Sequence, residues 1–166
     1  MAQRNRSILR DALRGAVAGG VAVWVMDLVT TGLLEQQPRA VSEREEQARP
    51  NGKPALVNLV DRLERDLQLE LDAAQRSGLL IALHYGLGVV PGALYGVLRD
   101  RLPLIGLARG ALYGLALFAV NDEYLNTRLG LAGPFDAYPI ETHWRGLVGH
   151  VALGVATDTG IDLLGG

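Results

Sequence analysis

The sequence predicts an all-α membrane protein: a four-transmembrane-helix bundle, with an extramembrane amphipathic helix between helices 1 and 2. Three observations carry this. Of 166 residues, 49% are hydrophobic, and most charges lie in residues 1–14 and 35–76, leaving long apolar runs elsewhere. Four of those runs approach the ~20 residues needed to cross ~30 Å of hydrocarbon. The chain also holds 21 glycines, too many for a water-soluble helical protein. They suit membrane helices, whose backbones approach closely at small residues.

Taken in order, residues 1–14 form a basic N-terminus with Arg4, Arg6, Arg10 and Arg14 opposed only by Asp11. Residues 15–34 follow with a single charge, Asp27, and predict the first span. A secretory signal peptide also begins with a basic stretch and an apolar run, but this run is too long and Thr30-Thr31-Gly32 is a poor cleavage site. Residues 35–77 form a polar segment whose turns are marked by Pro38, Pro50, Asn51-Gly52 and Pro54. Within it, Leu56, Leu59, Val60, Leu63, Leu67, Leu71 and Ala74 recur at helical spacing, predicting an amphipathic helix over about 55–74. Its mixed charge favours packing over the bundle rather than binding to lipid.

Residues 78–98 predict the second span, with His84 and two tyrosines as its only ionisable groups. The third covers 104–121, with Arg109 near its start. An outer loop at 122–142 leads to the fourth span at 143–164, which carries Arg145, His150, Asp158 and Asp162. The N-terminus has four arginines and the 99–109 turn has Arg99, Arg101 and Arg109, whereas the 122–142 loop has Arg128 against Asp122, Glu123, Asp136 and Glu141. The positive-inside rule therefore predicts cytoplasmic N- and C-termini.

At 1.5 Å per residue, Asp27, His84, Asn121 and His150 converge on the outer half of the bilayer, with Asp158 in the inner half. Glu123 and His143 fall at the outer interface. Ionisable groups inside a membrane are costly and mark ion pathways, so these six form the candidate site. For any one of them a plain interhelical hydrogen bond explains the residue equally well, and solvation at the interface is cheap for Glu123 and His143. The rows Gly15/Gly19 and Gly106/Gly110/Gly114 read as helix-packing devices, and as faces for a homo-oligomer or a membrane complex.

A family resemblance is visible in the second half. His84 followed by Tyr95 and Leu102-Pro103, glycines from Gly106 to Gly114, Pro134-Phe135-Asp136, Glu141 and Gly149-His150 are similar to the YagU-type bacterial inner-membrane proteins. Ala18-Gly19, Trp24 and Pro38-Arg39 extend the likeness to the first helix. The triplet Asn121-Asp122-Glu123 and the helix near 56–74 do not map onto that pattern. The resemblance implies a bacterial inner (cytoplasmic) membrane protein loosely linked to acid tolerance, with no catalytic residues to carry over.

Composition excludes several classes. A net charge of −2 gives no argument for nucleic acid, and the absence of cysteine removes disulfides, thiolate metal sites and a cysteine nucleophile. No phosphate loop or nucleophile elbow is present. Three readings stay open: handling of protons or cations, a structural or accessory subunit without chemistry, and a b-type haem protein with His84 and His150 as axial ligands. A divalent metal held by His84, His150 and a carboxylate is a variant of the first.

Overall fold

The computed structural model describes residues 7–102 and 104–165; the first six residues of the basic N-terminus and Pro103 lie outside them. Among the described residues the chain is helical, with no strand. The long helices are α1 (Ile8–Glu35), α4 (Ala73–Leu98) and α7 (Ile140–Leu163). Shorter ones are α2 (Arg39–Ala48), α3 (Ala55–Asp66) and α5 (Ala111–Leu117), the last running on through a π-helical stretch (Phe118–Leu125) into α6 (Asn126–Arg128). α1 is the centre: it packs on α4 along one face and α7 along another, and α7 in turn packs on α5. The cap end holds α2 and α3; the opposite, terminus end holds the start of α1 and the ends of α4 and α7.

Two helices, α1 and α4, are long and apolar enough to cross a membrane, with mean hydropathy 1.7 and 1.5 over their best windows. Only 22% and 11% of those windows are buried within the chain. A core helix of a water-soluble protein would bury most of such a stretch. Here Val17, Val21, Trp24 and Leu28 form an exposed stripe on α1, and Val90 and Leu94 are exposed on α4.

The buried face of α1 repeats at helical period through Asp11, Gly15, Ala18, Ala22 and Val23. Glycine makes the contact with α4 close. A Cβ added at Gly15 would run into the Gly92 carbonyl, and one at Gly19 into the Gly88 carbonyl. On the other side, Gly110 and Gly114 lie against the backbone of Gly154 and His150 on α7. Gly15, Gly19, Gly110 and Gly114 thus serve contacts within the chain and offer no surface to a second copy.

Several sequence-derived boundaries move. α1 starts at Ile8, so Arg10, Asp11 and Arg14 are helical rather than part of a separate basic segment. The amphipathic helix ends at Asp66, short of residue 74. Gln68 takes a left-handed φ of 52°, and Asp72 caps the next helix in a reciprocal capping box with Gln75, drawing Ala73 and Ala74 into α4. The third helix, expected over 104–121, starts only at Ala111. Ala108, Arg109 and Gly110 are all left-handed, which breaks the helix and leaves Gly106 in a turn against the Arg99 carbonyl, outside any helical glycine row. At its other end the helix continues to Arg128, so Asn121, Asp122 and Glu123 are helical and not part of the outer loop.

Candidate functional site

The cap is fixed to the bundle by polar groups. Buried Asn58 on α3 donates its amide to the carbonyls of Lys53 and Leu131, both at 3.0 Å, and Arg62 donates to the Leu129 carbonyl at 2.9 Å. Arg76, at the start of α4, pairs with Asp61 and Glu64 of α3. α2 is tied to α7 by Glu45. Its carboxylate receives Arg145 at 2.8 Å on both oxygens, Arg49 at 2.8 Å and the Thr142 hydroxyl at 3.1 Å. Burial alone would raise the Glu45 pKa, but hydrogen bonds from Arg145 and Arg49 outweigh it and hold the carboxyl below its ordinary value.

Beneath this cap, each histidine takes a carboxylate of its own. His84 Nε2 lies 2.9 and 3.1 Å from the two Asp27 oxygens, joining α4 to α1. His143 Nδ1 lies 2.7 Å from Glu123 Oε1, and its Nε2 lies 3.0 Å from the Phe135 carbonyl. The Phe135 carbonyl only accepts, so Nε2 carries the hydrogen of that contact. Phe135 also stacks on the ring at 3.9 Å. Buried His150 donates Nδ1–H to the Gly146 carbonyl at 2.9 Å, with Asp122 Oδ2 3.6 Å from the same nitrogen.

The π-helical stretch aims the last two carboxylates. Its backbone N–H of Asn126 reaches the Asn121 carbonyl five residues back, so the turn is wider than an α-turn. Neighbouring side chains are therefore splayed by less than the ~100° of an α-helix, and Asp122 and Glu123 both face α7. Their partners His150 and His143 stand seven residues apart there, two turns or about 10 Å. Asn121 supports Asp122 by donating its amide to Oδ1 at 2.9 Å.

Two cavities run between these pairs. An outer one of about 340 Å³ holds Glu45, Arg49, Glu123, His143 and Arg145. A bundle chamber of about 460 Å³ is roofed by Leu56 and Leu59 of α3 and walled by His84, Asn121, His150 and leucines. Met26, Ala55, Asp122 and Asn126 line both. Asp122 is thus the ionisable group at the junction, with 33% of its side chain open, and that surface faces the cavities. A shallow apolar groove of about 540 Å³ between α1 and α4 contains no acid or base except Tyr85 and lies apart from this chemistry.

Toward the terminus end the chamber gives way to packed rings. Tyr95 of α4 stacks on Tyr113 of α5 at 4.4 Å, and the Tyr95 hydroxyl donates to Asp158 at 2.6 Å. Arg99 binds Asp158 at 2.9 Å and also pairs with Asp162, while Arg101 lies 3.0 Å from Asp11. This second cluster closes the far end.

All six sequence-derived site residues therefore lie in or beside the two cavities: two pairs, His84–Asp27 and His143–Glu123, with His150 paired to Asp122 from outside the set, and Asn121. His84 and His150, the expected ligands of a shared metal, are each paired within the chain. Each ring has its own carboxylate, and among the described residues no three His, Asp or Glu side chains group to hold a metal ion. Nor does the geometry fit bis-histidine haem ligation, because His84 Nε2, the nitrogen an iron would take, is bonded to Asp27. Sequence reasoning left Asp122 out of the candidate site and missed the Glu45–Arg145 and Arg99–Asp158 ties. A usable signal for the first was present: two adjacent acids, and two histidines one heptad apart. No family model, curated protein or solved structure matches this chain.

Proposed function

We propose that this chain is a small polytopic protein of the bacterial inner membrane that handles protons or cations, by transport, channel activity or acid-linked sensing. One observation carries the reading: all three histidines, each beside a carboxylate, line two cavities that share Asp122. Imidazole and carboxylate exchange protons near neutral pH, and their placement deep between apolar helices is costly unless used. The route runs from His143–Glu123 in the outer cavity, past Asp122–His150, to His84–Asp27 in the chamber.

In this reading α1, α4, the α5–α6 helix and α7 are four spans. The exposed apolar faces of α1 and α4 support membrane residence, and cytoplasmic termini rest on the density of arginine, four in residues 1–14 and three in 99–109 against six spread over the longer 35–77 segment. Membership of the YagU-type family is part of the same proposal. A cysteine at Ala132 should then react with an impermeant thiol reagent in intact cells, and one at Gln3 should not; the reverse pattern would invert the topology.

The functional test is proton flux into liposomes containing the purified protein. An imposed pH gradient should collapse faster than in empty liposomes, and His84→Ala and His150→Ala should each abolish the effect. Because both act on one route, the double variant should add little beyond either single. A purely structural role is the competing reading, favoured by the fact that every histidine already has a partner in the chain. It requires additive stability losses, with activity per folded molecule retained.

A further inference from the structure

The bundle chamber has a composition that proton passage does not require. Leucine is its commonest wall residue, joined by Val23, Met26 and Pro91, and its ionisable groups are His84, Asp122 and His150. α4 and α5 do not pack along their lengths; the Tyr95–Tyr113 stack bridges them at the terminus end. Above the stack, Leu87 and Leu125 line the chamber and are 46% and 40% exposed, so they form a rim open to the bundle's flank. A mostly apolar cavity of a few hundred Å³ with a few convergent polar groups is what a small-molecule site looks like.

Partners decide which charge fits. Asp27 is held by His84 at hydrogen-bond distance on both oxygens. Asp122 has only the Asn121 amide as a close donor, and His150 Nδ1 at 3.6 Å is already given to Gly146. Its second oxygen therefore lacks a close donor from either ring and faces the chamber. Other charges around it come from Glu123 on its own segment, His84–Asp27 across the chamber, and Glu45, Arg49, Arg145 and His143 across the outer cavity. α3 contributes Ala55, Leu56 and Leu59 to the chamber and no charge. Among the described residues the cationic group nearest Asp122 is the His150 ring, 3.6 Å away through the Nδ1 already given to Gly146.

We infer that the bundle chamber binds a lipophilic ammonium ion, its apolar body among the leucines entered past the Leu87–Leu125 rim and its N–H groups on Asp122, in exchange for a proton on that carboxylate. The reading rests on the proposed cation handling and names the cation's class. A charge-assisted N–H···O bond inside an apolar wall supplies both orientation and selectivity for the charged form. No covalent step is involved: one proton leaves Asp122 as one monocation arrives.

Calorimetry on the full chain in lipid nanodiscs tests it, with 1-adamantylamine as the probe and empty nanodiscs as the blank. We expect saturable binding near neutral pH that weakens on acidification. Neutral 1-adamantanol, of the same shape, should bind at least tenfold more weakly, about 1.4 kcal/mol. Asp122→Asn should weaken amine binding by a similar factor, while Asp136→Asn, at an exposed carboxylate that lines neither cavity, changes it less than about threefold. Should Asp122→Asn fail to fold, Leu87→Trp keeps the carboxylate and obstructs the rim, and should also weaken the amine. Equal binding of amine and alcohol, or indifference to both variants, overturns the inference. Flux through wild-type protein without saturable amine binding also overturns it while leaving the proposed function standing. Saturable, Asp122-dependent amine binding without proton flux upholds it and removes proton conduction from the broader reading.

Discussion

Single residues set the strength of the tie between cap and bundle, and Glu45 is the clearest case. It is 5% exposed and touches two arginines and a threonine. Removing one partner of a buried, hydrogen-bonded charge pair costs about 3–5 kcal/mol, so Arg145→Ala should loosen α2 by an amount of that order. Hydrogen exchange across Arg39–Ala48 should rise, while exchange in α4 stays unchanged. The pH dependence follows from the depressed Glu45 pKa. The folded chain gives up this proton more readily than the unfolded one, so the stabilisation is fully present above about pH 4.5, the ordinary value. It is lost as pH falls through the lower folded value. Acid should therefore free α2, and Glu45→Gln should remove this part of the acid response. Gly114 is a second case. Its missing Cβ leaves room for the His150 carbonyl, so Gly114→Leu should force α5 away from α7 and lower the thermal midpoint.

Helical elements were legible where a periodic pattern or a glycine row wrote them. α1 and α4 follow from uninterrupted apolar runs, and the glycines at 15, 19, 110 and 114 are at close helix approaches as their spacing suggests. What escaped the sequence depends on partners far along the chain. α2 is a charged segment, Arg39-Ala40-Val41-Ser42-Glu43-Arg44-Glu45, with little apolar content, and it is anchored through Glu45 to an arginine 100 residues away. The left-handed run at Ala108–Gly110 lies inside what hydropathy alone reads as helix, because alanine and arginine are ordinary helix formers. The π-helical stretch was hidden too: Asn121-Asp122-Glu123 reads as a chain leaving the membrane, not as groups folded back onto α7. Deleting Ala119 tests that element. Returning the stretch to α register should turn Asp122 and Glu123 by about 100° relative to α5. Helix content by circular dichroism should survive, while the His143 and His150 ring protons lose their pH-dependent NMR coupling to those acids. Retained coupling would show that the π turns do not aim them.

At the scale of the whole molecule, polar ties stand at both ends of α7 and the histidines between them. Arg145 binds the cap, His143 and His150 face the π-helical carboxylates, and Asp158 and Asp162 bind Arg99. With 24 residues, α7 spans about 36 Å, so one element meets the cap, the π-helical carboxylates and Arg99 in turn. Asp158→Asn should open the Arg99 tie at the terminus end. Because α7 transmits the change along its axis, protease access to the cap should rise as well; an effect confined to the terminus end would mean α7 does not act as one body.

That arrangement also orders events in time. The ribosome emits Glu45, Arg99, Asp122 and Glu123 before any residue of α7. At 5–20 residues per second, Glu45 waits roughly 5–20 s for Arg145, and Asp122 waits a few seconds for His150. During that interval the earlier helices carry unmatched charge, and the close backbone faces at Gly110 and Gly114 have nothing to lie against. A nascent chain stalled before Ile140 therefore has these polar groups uncovered.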